Sequence, residues 1–199
     1  QGFVELSRWS SVDRLSSITC PTLVVAGRHD VFTSWPQAQR IATRIRAEHP
    51  DWIVPRWPAP RSVHAFFTTR NAGGERYGTF DVGRNVNVTR TADDAIVANR
   101  ARARALLPAD PMWLEQVHGI GVLDADAVDT EPVSPRADAA VARALDVVLA
   151  VRVADCLPVL LCDRAGSVVA VAHAGWRGLA AGVVERTLAA MRSLPAHII

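Results

Sequence analysis

Two histidines and a cysteine, each at the edge of an apolar run, are the residues of this sequence best suited to chemistry. His118 closes Trp113-Leu-Glu-Gln-Val-His118-Gly, Cys156 lies in Ala154-Asp155-Cys156-Leu-Pro158, and His173 lies in Ala172-His173-Ala-Gly175-Trp176-Arg177-Gly178. One thiolate and two imidazoles suit zinc and leave a fourth position open for water or substrate. The thiolate would leave a single net positive charge on such a centre, enough to acidify a bound water or polarise a substrate oxygen. Spacing does not decide the matter, because no local pattern such as Cys-x-x-Cys joins the three. A second account stays open, with Cys156 a small buried hydrophobe and both histidines hydrogen-bonded strand-end residues. A third makes the protein a cysteine hydrolase, with Cys156 as nucleophile and His173 as its base. Cys162, in mid-strand among Leu160, Leu161 and Asp163, reads as core.

Strands must deliver these side chains. Met112 to Val117 is expected as a strand ending at His118. Val147 to Val153 and Pro158 to Cys162 are expected as two apolar strands with Cys156 at their junction. Asp163 to Gly166 reads as a turn, and Ser167 to Ala172 as a returning strand that ends at His173. Gly178 to Leu194 then reads as an amphipathic helix with Leu179, Val183, Val184, Leu188 and Met191 on one face. Upstream, Val63 to Thr68 reads as a strand and Asn71 to Val88 as a long glycine-rich loop. A helix follows from Thr91 to about Leu107, with Asp94 supplying an acidic variant of the capping box. Strands and helices interleave, so the predicted class is α/β, a layered mixed β-sheet with flanking helices. All three candidate ligands fall at strand ends, where open α/β sheets gather ligand sites.

The first fifty residues read differently. Thr22 to Ala26 is a buried strand, and Trp35 to Glu48 a helix with Ser34 as N-cap and Pro36 at its first position. This strand–helix appendage resembles the late part of an α/β-hydrolase, in which Asp30 would be the acid of a triad. No Gly-x-Ser-x-Gly elbow accompanies it, so a detached fragment is the better reading. Four prolines within residues 50–60 mark the boundary.

Composition narrows the classes. The 199 residues are 49% hydrophobic and 21% charged, which is globular composition with material for a core. A net charge of +2 is too small to argue for nucleic acid or membrane. All basic residues are arginine, which excludes a Schiff-base lysine and a P-loop lysine. The three cysteines, Cys20, Cys156 and Cys162, form no disulfide framework. With no signal peptide and no membrane-length apolar run, a reduced cytoplasmic setting is expected.

The segments "WLEQVHG", "DCLPVLL" and "AHAGWRG", in this order, together with "FTTRNAGG" at 67–74 and "RADA" at 136–139, resemble the bacterial YfiH-like laccase-domain family. The resemblance runs from about Trp52 to the last residue. It implies an α/β laccase domain over 52–199, incomplete at its carboxy-terminal end, joined to a foreign segment 1–50. It implies zinc held by His118, Cys156 and His173, and phosphorolysis of purine nucleosides such as adenosine, inosine and methylthioadenosine. Adenosine deamination and copper-dependent phenol oxidation are also attributed to the family. The implied partners are therefore a purine nucleoside and phosphate, with copper the alternative metal.

Within that chemistry Arg177, at the start of the last helix, and Arg70, in the loop after the first family strand, are the phosphate candidates. Asp155 would orient a ligand or accept a substrate proton, and Asp138 is a weaker candidate for the same role. The sequence holds six histidines and no His-x-His pair, which disfavours a multicopper oxidase. The deaminase pattern of His-x-Glu with Pro-Cys-x-x-Cys is also absent. Asp81 in "TFDVG" stands where the family has Asn in "SLNLG". A truncated, inactive product remains the non-catalytic alternative.

Overall fold

The computed structural model describes residues 22–28, 45, 47, 48, 50–69, 93–128 and 134–193. Eight strands lie among them: β1 (Thr22–Arg28), β2 (Val63–Phe67), β3 (Pro111–Met112), β4 (Val122–Asp124), β5 (Ala139–Ala142), β6 (Val148–Val153), β7 (Leu157–Cys162) and β8 (Val169–Ala174). The helices are α1 (Asp93–Arg104), α2 (Trp176–Ala181) and α3 (Val183–Ser193), with a single 3-10 turn at Ala125–Ala127. The class is the expected mixed α/β, built as two four-stranded sheets ordered β2-β1-β6-β3 and β4-β5-β8-β7. The amino-terminal strand β1 inserts between β2 and β6 and is antiparallel to both.

Side-chain alternation explains the layers. On β6, Leu149, Val151 and Val153 point between the sheets, where they meet Val63, Phe67, Ala140, Ala142, Val169 and Val171. The alternate residues Val148 and Ala150 join Ile45, Trp52, Phe66, Ala103 and Leu106 on the outer face, beneath α1. On the second sheet Ala139, Ala172 and Ala174 face outward and pack with Val183 of α3. Strands buried on both faces read as continuous apolar runs, which is why β6 and β8 were recognisable. Pro158 sits in β7, an edge strand of the second sheet, where its missing N–H costs no ladder bond.

Three expectations need correction. The strand before His118 covers only Pro111–Met112. Beyond it, the side chain of Gln116 takes the place of a ladder partner: its Nε2 donates to Arg152 O at 2.7 Å, and Arg152 N donates to its Oε1 at 2.8 Å. His173 lies inside β8, which runs to Ala174, rather than after it. The closing helix begins at Trp176 and breaks at Gly182, whose φ of 95° is left-handed and whose N–H caps Gly178 O and Leu179 O. Leu179 therefore belongs to α2 and is half exposed, while Val183 of α3 is buried.

Gly182 carries a testable cost. A Cβ in left-handed backbone costs roughly 1–2 kcal/mol. Gly182→Ala should therefore lower the thermal midpoint by roughly 2–8 °C, read by circular dichroism.

The expected helix at Trp35–Glu48 is represented only by Ile45, Ala47 and Glu48, which are helical. Asp30, the loop Asn71 to Val88 and the cap at Thr91 lie outside the described residues. No helix among the described residues is long and apolar enough to cross a membrane.

Candidate metal centre

The chain passes from one sheet to the other through the link between β6 and β7, and Cys156 sits in that link. His173 enters from β8, where its backbone N–H donates to Asp138 O at 2.7 Å. His118 enters from the loop between β3 and β4. Three successive N–H groups of that loop, from Val117, His118 and Gly119, donate to the carboxylate of Asp138 at 3.2, 2.9 and 2.7 Å. His118 adopts a φ of 59°, in the left-handed region that histidine enters more readily than most residues.

The three candidate ligands come together. One donor atom from each of His118, Cys156 and His173 lies within 4.8 Å of the other two, so the group could hold a metal ion. Nδ1 of His173 lies 2.8 Å from Oδ1 of Asp138, which leaves its Nε2 as the free donor. The rings of His118 and His173 meet edge to face at 4.7 Å between centroids.

Distance offers a test of fit. Zinc with bonds of about 2.3 Å to sulfur and about 2.05 Å to nitrogen, at tetrahedral angles, sets sulfur and nitrogen about 3.6 Å apart. Cys156 Sγ and His118 Nε2 are 3.6 Å apart. The donor types and this edge fit zinc. Gly175 closes one wall, since a Cβ there would lie 2.7 Å from His118 Cδ2 and 3.0 Å from Cys156 Sγ. His118 is exposed, Cys156 half-buried and His173 buried, so the group opens to solvent on one side.

Burial, followed by the nearby Asp155 and Asp138 carboxylates, pushes the Cys156 thiol above its ordinary value. Burial lowers the proton affinity of His173, against the opposing pull of Asp138, and so favours the neutral ligand form. A cation arriving at Cys156 must displace the thiol proton. Zinc uptake near pH 7 should accordingly release about one proton from Cys156, and affinity should fall about tenfold per unit drop in pH. Titration in weak buffer with a pH indicator measures this; uptake with no proton release would contradict it. Cys162 packs against the core instead, and burial, with Asp163 adding, pushes its thiol to about 11.

The remaining candidates are placed less uniformly. Asp155 is exposed, and the Cys156 thiol donates to its Oδ1 at 3.7 Å. The carboxylate that bonds to both histidine residues is Asp138, the weaker of the two acidic candidates in the sequence. Its cue was the segment "RADA". Arg177 is exposed on α2, with its guanidinium 5.3 Å from the centroid of the Trp176 ring. Arg70 lies outside the described residues. Gly175 was not singled out, although its position two residues after His173 in a tight turn could have suggested a close backbone approach.

Fold and donor set together define a two-sheet α/β domain in which one thiolate and two imidazoles meet, from the β6–β7 link, the loop after β3 and the end region of β8. The family model described as multi-copper polyphenol oxidoreductase laccase matches residues 64–198, and the chain belongs to that family. It is 46% identical over 140 residues to a Pseudomonas aeruginosa protein named purine nucleoside phosphorylase PA4543, covering 69% of this chain and 54% of that one. It is 45% identical over 152 residues to the Escherichia coli purine nucleoside phosphorylase YfiH, covering 74% of this chain and 60% of that one. Among solved structures, Neisseria meningitidis protein NMB0706 superposes with a TM-score of 0.62 at 42% identity, covering 71% of this chain and 57% of that one. The chain thus spans between half and three fifths of the length of these relatives.

Proposed function

We propose that this chain is a zinc-dependent purine nucleoside phosphorylase acting on adenosine, inosine or methylthioadenosine, with His118, Cys156 and His173 holding the ion. The observation that carries the reading is the approach of three donor atoms to within 4.8 Å of one another, from segments 17 or more residues apart in the chain. Relatives at 45–46% identity that bear the phosphorylase name support it. Zinc bound there would supply a Lewis acid beside the substrate.

Phosphorolysis breaks the bond between ribose and base and forms one between ribose and a phosphate oxygen. The departing base must take up a proton. The chain's own groups can be read for these needs. Arg177 and Arg70 are the proposed phosphate clamps, since guanidinium groups match phosphate oxygens in pairs. Asp155, exposed beside Cys156, is free to orient substrate or carry a proton. Val117, Leu157 and Trp176 expose apolar surface next in sequence to the ligand segments, which suits a flat heteroaromatic base. The family domain is assigned to residues 52–199, and residues 1–50 to a hydrolase-like segment whose strand β1 completes the first sheet. A reduced cytoplasmic setting suits a free thiol ligand.

A copper-dependent polyphenol oxidase is the second reading. It is favoured by the family's description and by a donor set that copper also accepts. The absence of any His-x-His pair weighs against it. A cysteine hydrolase is disfavoured by the raised Cys156 thiol, because nucleophilic cysteines need a depressed one.

The test is incubation of the zinc-loaded protein with inosine or adenosine, with and without phosphate. Phosphate-dependent release of free base and ribose phosphate is the expected result. Inosine formed from adenosine would add deamination. Oxidation of a phenol by the copper-loaded protein, without phosphorolysis, would favour the second reading. No product of any kind would leave a non-catalytic fragment.

A further inference from the structure

Asp138 is fully buried just before β5, yet among the described residues its carboxylate bonds only to groups that belong to the two histidine segments. Oδ1 accepts from His118 N at 2.9 Å and faces His173 Nδ1 at 2.8 Å. Oδ2 accepts from Val117 N at 3.2 Å and Gly119 N at 2.7 Å. One oxygen therefore serves both histidines. From this geometry we infer that Asp138 is the positioning residue of the metal centre, fixing the backbone of one histidine and the ring tautomer of the other. The inference rests on the zinc reading above.

The physical reasons differ for the two ligands. A neutral imidazole carries one N–H, and it goes to the nitrogen that faces an acceptor. A carboxylate against Nδ1 of His173 holds the proton there and leaves the Nε2 lone pair for a cation. His118 is governed through its main chain instead. Three consecutive N–H groups can converge on one carboxylate only if the loop turns back on itself, and His118 takes the left-handed φ of 59° that this requires. Among the described residues, the Asp138 carboxylate supplies the hydrogen bonds that hold that turn.

Asparagine at this position separates positioning from packing. It has nearly the same shape, but one of its two terminal atoms is an N–H donor. In one orientation the amide faces the N–H groups of Val117 and Gly119. In the other it faces His173 Nδ1, which must then accept, so that the ring proton moves to Nε2 and blocks ligation.

Asp138→Asn should weaken zinc binding about 10–100-fold in competition with a chromophoric chelator, as expected for the partner of a ligating histidine. The thermal midpoint of the metal-free variant serves as the control for folding. Nitrogen-15 NMR of the ring in the metal-free native chain should find His173 protonated at Nδ1. Unchanged zinc affinity in Asp138→Asn, with only a lowered midpoint, would reduce Asp138 to a structural role and overturn the inference while leaving the metal reading intact. If the variant does not fold, the tautomer decides: an Nε2–H tautomer in the native chain overturns the inference. A native chain that takes up no zinc overturns the metal reading and this inference together.

Discussion

Cys156→Ala should lower zinc affinity about 10²–10³-fold, the largest loss expected from any single side chain of this protein. Structural zinc sites gain roughly 10–16 kcal/mol from four ligands, so each ligand accounts for roughly 2.5–4 kcal/mol. Cys156 is the ligand whose loss also changes the charge of the centre, since it alone among the three is an anion when bound. The side chain is half-buried in the link between β6 and β7 and belongs to no helix or strand interior, so its truncation should leave the sheets formed. Serine would not rescue it, because a neutral hydroxyl is a far poorer donor to zinc than a thiolate. Metal titration of the two chains against a competing chelator measures the effect. Affinity within a few-fold of the native chain would remove Cys156 from the ligand set.

Gly175→Ala comes next in size and acts through space alone. Its added Cβ would stand 2.7 Å from the His118 ring, closer than real contacts allow, and 3.0 Å from the Cys156 sulfur, closer than most of them. Neither neighbour can yield cheaply. The His118 ring hangs on a loop pinned by three hydrogen bonds to Asp138, and Cys156 is held in the short passage between the sheets. A displacement of about 1 Å at a reacting centre can cost about a hundredfold in rate, and the proposed phosphorolysis should fall by a comparable factor. Zinc affinity should fall with it. Gly182→Ala is the natural comparison, because it strains the backbone seven residues on without touching either ligand. The first variant should lose metal and the second only stability. Native zinc affinity in Gly175→Ala would show that the wall is softer than its contacts indicate.

What could be read from the sequence follows from burial. The cores of β6 and β8 were legible because both faces of those strands are covered, so apolar residues predominate along them. β5 was not, since Ala139-Ala-Val-Ala142 is built mostly from a residue with little preference for strands. Its alanines are selected by close packing, with α3 resting on Ala139 and both sheets meeting over Ala140 and Ala142. The stretch before His118 looked like a strand because it is apolar, but its backbone bonds to the Arg152 side chain at Leu114 O, to Pro135 and Ala137 at Glu115, and to the Asp138 carboxylate at Val117 N. That exchange is invisible to periodicity.

The three candidate ligands stood out through motif resemblance rather than spacing, and the carboxylate that bonds to two of them was the less conspicuous one. Asp155 drew attention as the neighbour of Cys156 in the chain. Asp138 meets His173 across 35 residues, through the antiparallel pairing of β5 with β8, and no sequence pattern encodes that contact. The break at Gly182 was legible in principle, because a glycine inside a helical pattern is a common C-cap, and it marks where α2 hands over to α3.

Zinc-edge X-ray absorption on the zinc-loaded protein reports the donors themselves. One sulfur at about 2.3 Å and two imidazole nitrogens at about 2.0–2.1 Å are expected in the first shell, with one ion per chain. A shell of oxygen and nitrogen alone, with Cys156 still open to alkylation while zinc is bound, would contradict the convergence of His118, Cys156 and His173 on a single cation.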